Sequence, residues 1–274
     1  MKHLFTACVG LIMGSHSALS AQEAGLPLWE AGLVAGGIST PAYPASSDRA
    51  SRALAVPFLI YRGEVLRSDR SGIGARLAHT DDYEFDVGFS AALPASSNDV
   101  AARQNMPDLG TLLEFGPRMK VTLARPTTGS RVRLIVPVRS VLEFNSGVRG
   151  QGVAFEPELA YETRDLNQGW NYSASASLVW GDSQLNQYFY GVSPTYATAA
   201  RPAYEAQSGL IASRLSVSTS TQLGKDVRIL GFVRYENYEG SANRNSPLFL
   251  QSSGTSYGLW LTWTLGRSET RVQD

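Results

Sequence analysis

From Trp29 onward, hydrophobic and polar residues alternate with a period of two, the signature of strands with two unlike faces. Val153, Phe155, Pro157, Leu159 and Tyr161 share one face, and Glu156, Glu158 and Glu162 the other. Val132, Leu134, Val136 and Val138 oppose Arg131, Arg133 and Arg139. Leu113, Phe115, Met119, Val121 and Leu123 oppose Glu114, Arg118 and Lys120. Segments around Tyr83–Phe89, Tyr172–Trp180, Val227–Glu236 and Tyr257–Leu265 repeat the pattern. It predicts an all-β chain of amphipathic strands.

A soluble barrel turns its apolar face inward, whereas an outer-membrane barrel turns it to lipid and lines its lumen with the polar face. Here the apolar faces run five positions deep and several end in Tyr or Trp, as an aromatic girdle does. The polar faces carry Arg and Glu. The links between strands also sort: with every second one assigned outside, the three longest (94–109, 183–206 and 239–253) emerge on one side, as the long extracellular loops of such barrels do. Parity then asks for a strand over 28–37, an outer loop over 38–50, a strand over 51–61, and a short hairpin near 64–68 and 72–79. The expectation is a transmembrane antiparallel β-barrel of about twelve strands over 28–265, or ten if 64–79 is irregular, followed by a polar tail over 266–274. The last strand, Ser256–Trp263, resembles the C-terminal signal by which the barrel assembly machinery receives its clients, although the tail follows it.

Residues 1–21 have the layout of an export signal. Lys2 and His3 precede the apolar stretch Leu4–Gly14, and Ser17–Ala21 offers small residues for cleavage after Ala21. A short lead over 22–27 follows. Removal of the signal takes away Cys8, the only cysteine, and leaves His79 as the only histidine. Thiolate chemistry, disulfides and most metal sites are thereby excluded, and no cofactor is expected. Twenty-four basic and 24 acidic residues are spread along the chain, with no basic block to recruit nucleic acid.

Two stretches resemble the MipA/OmpV family of outer-membrane proteins. Tyr188-Phe189-Tyr190-Gly191-Val192-Ser193, followed by Pro202, Tyr204, Ala206 and Gly209, is similar to the family's Tyr-Phe-Gly-Val-Ser and Pro-x-Tyr-x-Ala stretch with its glycine. Pro41-Ala42-Tyr43-Pro44-Ala45-Ser46 is similar to a second family stretch, with Pro57 and Tyr61 after it. The inserted Tyr190 and the Pro44-Ala45 pair depart from the pattern. The resemblance implies an outer-membrane location and a non-enzymatic scaffold, since the founding member is described as a partner of a murein lytic transglycosylase, bringing peptidoglycan hydrolase and synthase (a penicillin-binding protein) together.

The residues themselves leave three functions to weigh. Charged turns (Arg164 and Asp165, Lys225 and Asp226) suit a docking surface or simple solvation. The inward charges Arg118, Lys120, Arg131, Arg133, Arg139, Glu156, Glu158 and Glu162 would line a narrow channel, or pair across it and close it. A serine hydrolase would need His79 as base, and beside Thr80, Asp81 and Asp82 it reads as a solvated turn residue. The tyrosine-rich link 183–206 is expected to pack Tyr188, Phe189 and Tyr204 against the rim or lumen.

Overall fold

The structure is a computed structural model that describes residues 26–63, 65–69, 72–145, 147–164 and 169–272. The expected export signal over 1–21 lies outside the described residues, as does Asp165. The strands are β1 (Leu26–Pro27), β2 (Trp29–Pro41), β3 (Arg49–Tyr61), β4 (Leu66–Asp69), β5 (Gly72–His79), β6 (Tyr83–Ala92), β7 (Thr111–Ala124), β8 (Ser130–Phe144), β9 (Val148–Phe155), β10 (Glu158–Arg164), β11 (Trp170–Gly181), β12 (Gly209–Gln222), β13 (Val227–Asn237), β14 (Ser253–Arg267) and β15 (Arg271–Val272). The helix α1 (Ser183–Tyr190) interrupts the pattern.

All barrel pairings are antiparallel, most of them between chain neighbours, and first meets last: Leu33 of β2 lies opposite Trp263 of β14. The main sheet has thirteen strands, but β9 and β10 occupy one position between β8 and β11, which leaves twelve places around the wall. The break between them falls at Glu156-Pro157, where proline has no N–H to give the ladder. The sheet path ends on β3 and β4, consecutive in the chain, with Cα atoms within 8 Å of each other. The β4–β5 hairpin thus settles the strand count at twelve rather than ten.

Burial follows the alternation. Leu33, Leu59, Leu159, Leu215, Val233 and Leu259 point outward and are exposed, while Glu30, Asp86, Lys120, Arg133, Glu162 and Arg228 point inward and are buried. This inverts a soluble domain and fits a wall solvated by lipid. Outward aromatics gather at both ends: Trp29, Tyr61, Tyr83, Tyr172 and Trp263 at the end with the termini, and Phe144, Tyr235 and Tyr257 at the other.

The long links 93–110, 182–208 and 238–252 leave the end opposite the termini, together with 42–48. This is the outer end by the length rule. At the inner end, Leu26 pairs with Val272 and Pro27 with Arg271, tying the tail back to the lead. The first outer link is shorter than 38–50, because β2 and β3 stay paired as far as Pro41 and Arg49.

Candidate functional site: a filled lumen under a packed outer cap

The charged inner wall is built by register. Arg118 of β7 lies opposite Asp86 of β6, and Lys120 opposite Glu84. Arg118 grips Asp86 with Nε and Nη2, 2.8 and 2.7 Å from the two carboxylate oxygens. The Lys120 ammonium lies 2.8 Å from Glu84 and 3.0 Å from Asp86. Arg76 of β5 closes this group on Glu84 at 2.7 Å. One position further round, Glu162 of β10 accepts from Arg131 at 2.8 Å and from Arg133 at 2.5 Å. Asp86, Arg118, Lys120, Arg133 and Glu162 are buried, Arg76 and Glu84 are partly buried, and Arg131 is half exposed.

A second belt runs nearer the outer end. Glu114, Arg139, Glu156, Arg214 and Glu236 alternate in charge across β7, β8, the β9–β10 junction, β12 and β13, at 2.6, 3.1, 2.9 and 2.6 Å. Ser177 fills the place on β11 by donating to Glu156. Of the eight inward charges named from sequence, Glu158 has no ion pair among the described residues. Each pair joins neighbours along the wall, so the charges are neutralised in place rather than set against each other across the lumen. In a low-dielectric interior such pairing is what makes the ions tolerable.

On the opposite wall a block of inward positions is apolar. Val34, Val56, Leu230 and Trp260 are buried together, with Ile38, Leu54 and Phe58 against them. These side chains and the lower belt occupy the inner half of the lumen.

The outer end is covered by a cap. Tyr43 donates its hydroxyl to the Leu248 carbonyl at 2.8 Å, and Ala45, held at φ 66°, accepts at 3.0 Å from the N–H groups of both Leu250 and Gln251. Arg103 reaches the Phe189 carbonyl and lies over the Tyr43 ring, and Arg201 donates to the Ala102 and Tyr196 carbonyls. Fully buried Asn243 donates to Asn186 at 2.9 Å and to the Gln207 carbonyl at 2.8 Å, while its oxygen accepts from Tyr204. Burial pushes the Tyr43 hydroxyl up to about 12, against the pull of the Arg103 cation. Burial raises Tyr190 and Tyr238 as well, and Tyr188 further with the help of the Glu143 charge. These four tyrosines therefore stay protonated well above neutral pH.

The motif residues sit inside this cap. The link 182–208 is partly helical, because Asp182 caps the Leu185 N–H at 2.8 Å and starts α1. Tyr188 donates to Glu143 at 3.1 Å, Phe189 packs edge-on against Tyr188, and Val192 and Tyr204 form a two-way backbone bridge at 2.9 Å. Gly191 has no room for a side chain, since a Cβ would lie 2.5 Å from the Gln187 carbonyl oxygen. Gly209, at φ +149°, passes Ala242, whose methyl would lie 2.6 Å from a Cβ there. Pro202 is exposed at the turn before Tyr204. Sequence reasoning missed α1, Glu143, Asn186 and Asn243; the Asp182-to-Leu185 spacing was the one signal for the helix, and none marked the two buried amides.

His79 ends β5 and is exposed. Among the described residues no cluster of three or more His, Cys, Asp or Glu could hold a metal.

No curated protein matches this chain. Among solved structures, the translocator domain of the autotransporter NalP from Neisseria meningitidis is similar at 11% identity and TM-score 0.49, covering 88% of this chain and 90% of that one. A bacterial polysaccharide outer membrane secretin follows at 8% and 0.42 (86% and 99% covered), and the outer membrane phospholipase A from Escherichia coli at 9% and 0.34 (87% and 94%). A family model described as MltA-interacting protein MipA matches residues 33–265. With that match over most of its length, and with a lipid-facing twelve-position barrel, the chain belongs to the MltA-interacting protein MipA family and is an outer-membrane barrel protein.

Proposed function

We propose that this protein is a closed, non-enzymatic barrel whose inner, periplasm-side face docks a murein-remodelling enzyme, a lytic transglycosylase joined there by a penicillin-binding protein. One observation carries this reading: the lumen is occupied at two levels, by buried ion pairs with apolar side chains below and by the hydrogen-bonded cap above. A barrel so filled spends its interior on rigidity and leaves its faces for function. The inner face is held in shape. Arg62 ties Glu30 to the Pro27 carbonyl at 2.7 Å each, Arg125 joins the turn 80–82, and Arg267 pairs with Asp226. The family's own description, by its interaction with MltA, agrees with a protein partner.

The test is site-specific photocrosslinking in cells, with the crosslinker at Asp82 or Gly224 on the inner face and at Gln104 on the cap. Recovery of a lytic transglycosylase or penicillin-binding protein from the inner sites alone is the expected result. Recovery from neither site beyond what an unrelated barrel gives removes the docking reading. Conductance in planar bilayers above background would favour a narrow channel for small solutes instead.

A further inference from the structure

The barrel wall is not equally tall all the way round. β3 has thirteen residues and β6 ten, but the hairpin between them has four in β4 and eight in β5. At ~3.3 Å per residue, β4 covers roughly 13 Å beside roughly 43 Å of β3. The β5–β6 ladder ends at Ile73 and Phe89, so Ser90–Ala92 have no partner on that side among the described residues. The outer part of β3 likewise has none on the side away from β2. Among the described residues a window results, bounded by β3, the outer ends of β4 and β5, and the outer end of β6. Above it the two flanking links are joined by the Ala101 N–H on Asp48, at 2.9 Å.

Accessibility reports the same opening. Arg52, Ser90 and Ala92 point inward by alternation, yet all three are exposed; Val56, Ile60, Asp86 and Gly88, nearer the inner end, are buried. Unlike the belt arginines, Arg52 has no carboxylate: among the described residues its one hydrogen bond goes to the carbonyl of its neighbour Ser51, at 3.0 Å. Ile38 lies directly opposite Arg52, and Leu54 and Phe58 follow on the same face of β3.

We infer that this window admits one anionic amphiphile from the surrounding membrane, its acyl chain along Ile38, Leu54 and Phe58 and its acidic head on Arg52. The wall gap opens towards hydrocarbon, which selects an apolar chain. Unpaired backbone at a strand edge is costly in lipid, which selects a head with polar atoms. The Arg52 cation sets the sign of the head.

The inference stands apart from the docking reading and is tested on the purified full-length barrel in detergent, with a diazirine-bearing palmitate as probe and mapping of the labelled peptides. Labelling of the inward residues Ile38, Leu54 or Phe58, competed by unlabelled palmitate and not by inorganic phosphate, is expected. Arg52→Glu should weaken that labelling about tenfold, as loss of a charge-assisted contact does, and Arg52→Lys should keep most of it. Ser90→Trp, which narrows the opening without touching Arg52, should also reduce it. Labelling confined to outward residues such as Leu33 and Leu59, or inward labelling indifferent to both Arg52→Glu and Ser90→Trp in variants that keep the β spectrum, would overturn the inference.

Discussion

Two walls of the inner lumen, six positions apart around the ring of twelve, fill the same space by opposite means. On β6, β7, β8 and β10 the inward ions Asp86, Arg118, Lys120, Arg133 and Glu162 are each neutralised by a neighbour one strand away. On β13, β14, β2 and β3 the inward side chains around Trp260 are apolar and fill by volume. The difference teaches where each wall is fragile. An apolar wall loses contact area gradually, but an ionic wall that loses one member leaves its partners buried and charged.

That contrast can be broken most sharply at Asp86, which serves both Arg118 and Lys120. Asp86→Ala should cost about 3–5 kcal/mol, read from the denaturant midpoint of the refolded barrel in micelles. Leu230→Ala on the apolar wall should cost less, about 2–3 kcal/mol, the low end for a buried leucine because half-buried Ile38 and Leu54 are free to move in. A larger loss at Leu230 than at Asp86 would mean that ion pairing does not hold the charged wall.

The cap gives a third comparison, through pH. The Tyr43 hydroxyl is raised in the folded protein, so its contribution is complete below pH 10 and declines as pH rises from 10 through about 12. Ultraviolet titration should show a late tyrosinate step that Tyr43→Phe removes, and the cap should loosen over the same interval. The smallest effect is expected at the inner rim. Arg125 and Asp82 are both about half exposed, and Arg125→Ala should change stability by less than about 1 kcal/mol.

Much of this was legible in the chain. The outward residues of β8, β10 and β14 are those that the alternation assigns, because a side-chain period of two puts every second residue on one face whatever its neighbours are. Arg118, Lys120, Arg133 and Glu162 could be placed inward for the same reason. Their partners could not: that Arg118 meets Asp86 depends on the β6–β7 register. Nor could the cap be read, because its contacts join links far apart in sequence, as Tyr43 joins Leu248.

What the sequence by itself determined is therefore the class of wall: strand positions, an apolar exterior, a charged interior and long links on one end. These follow from local periodicity and from the cost of polar groups in lipid. Only the tertiary structure decided that the charges neutralise along the wall, that the lumen is filled and capped, and that the short β4–β5 hairpin leaves an opening beside Arg52. Each depends on which residues closure of the sheet brings face to face, and register and strand height are properties of neighbouring strands together.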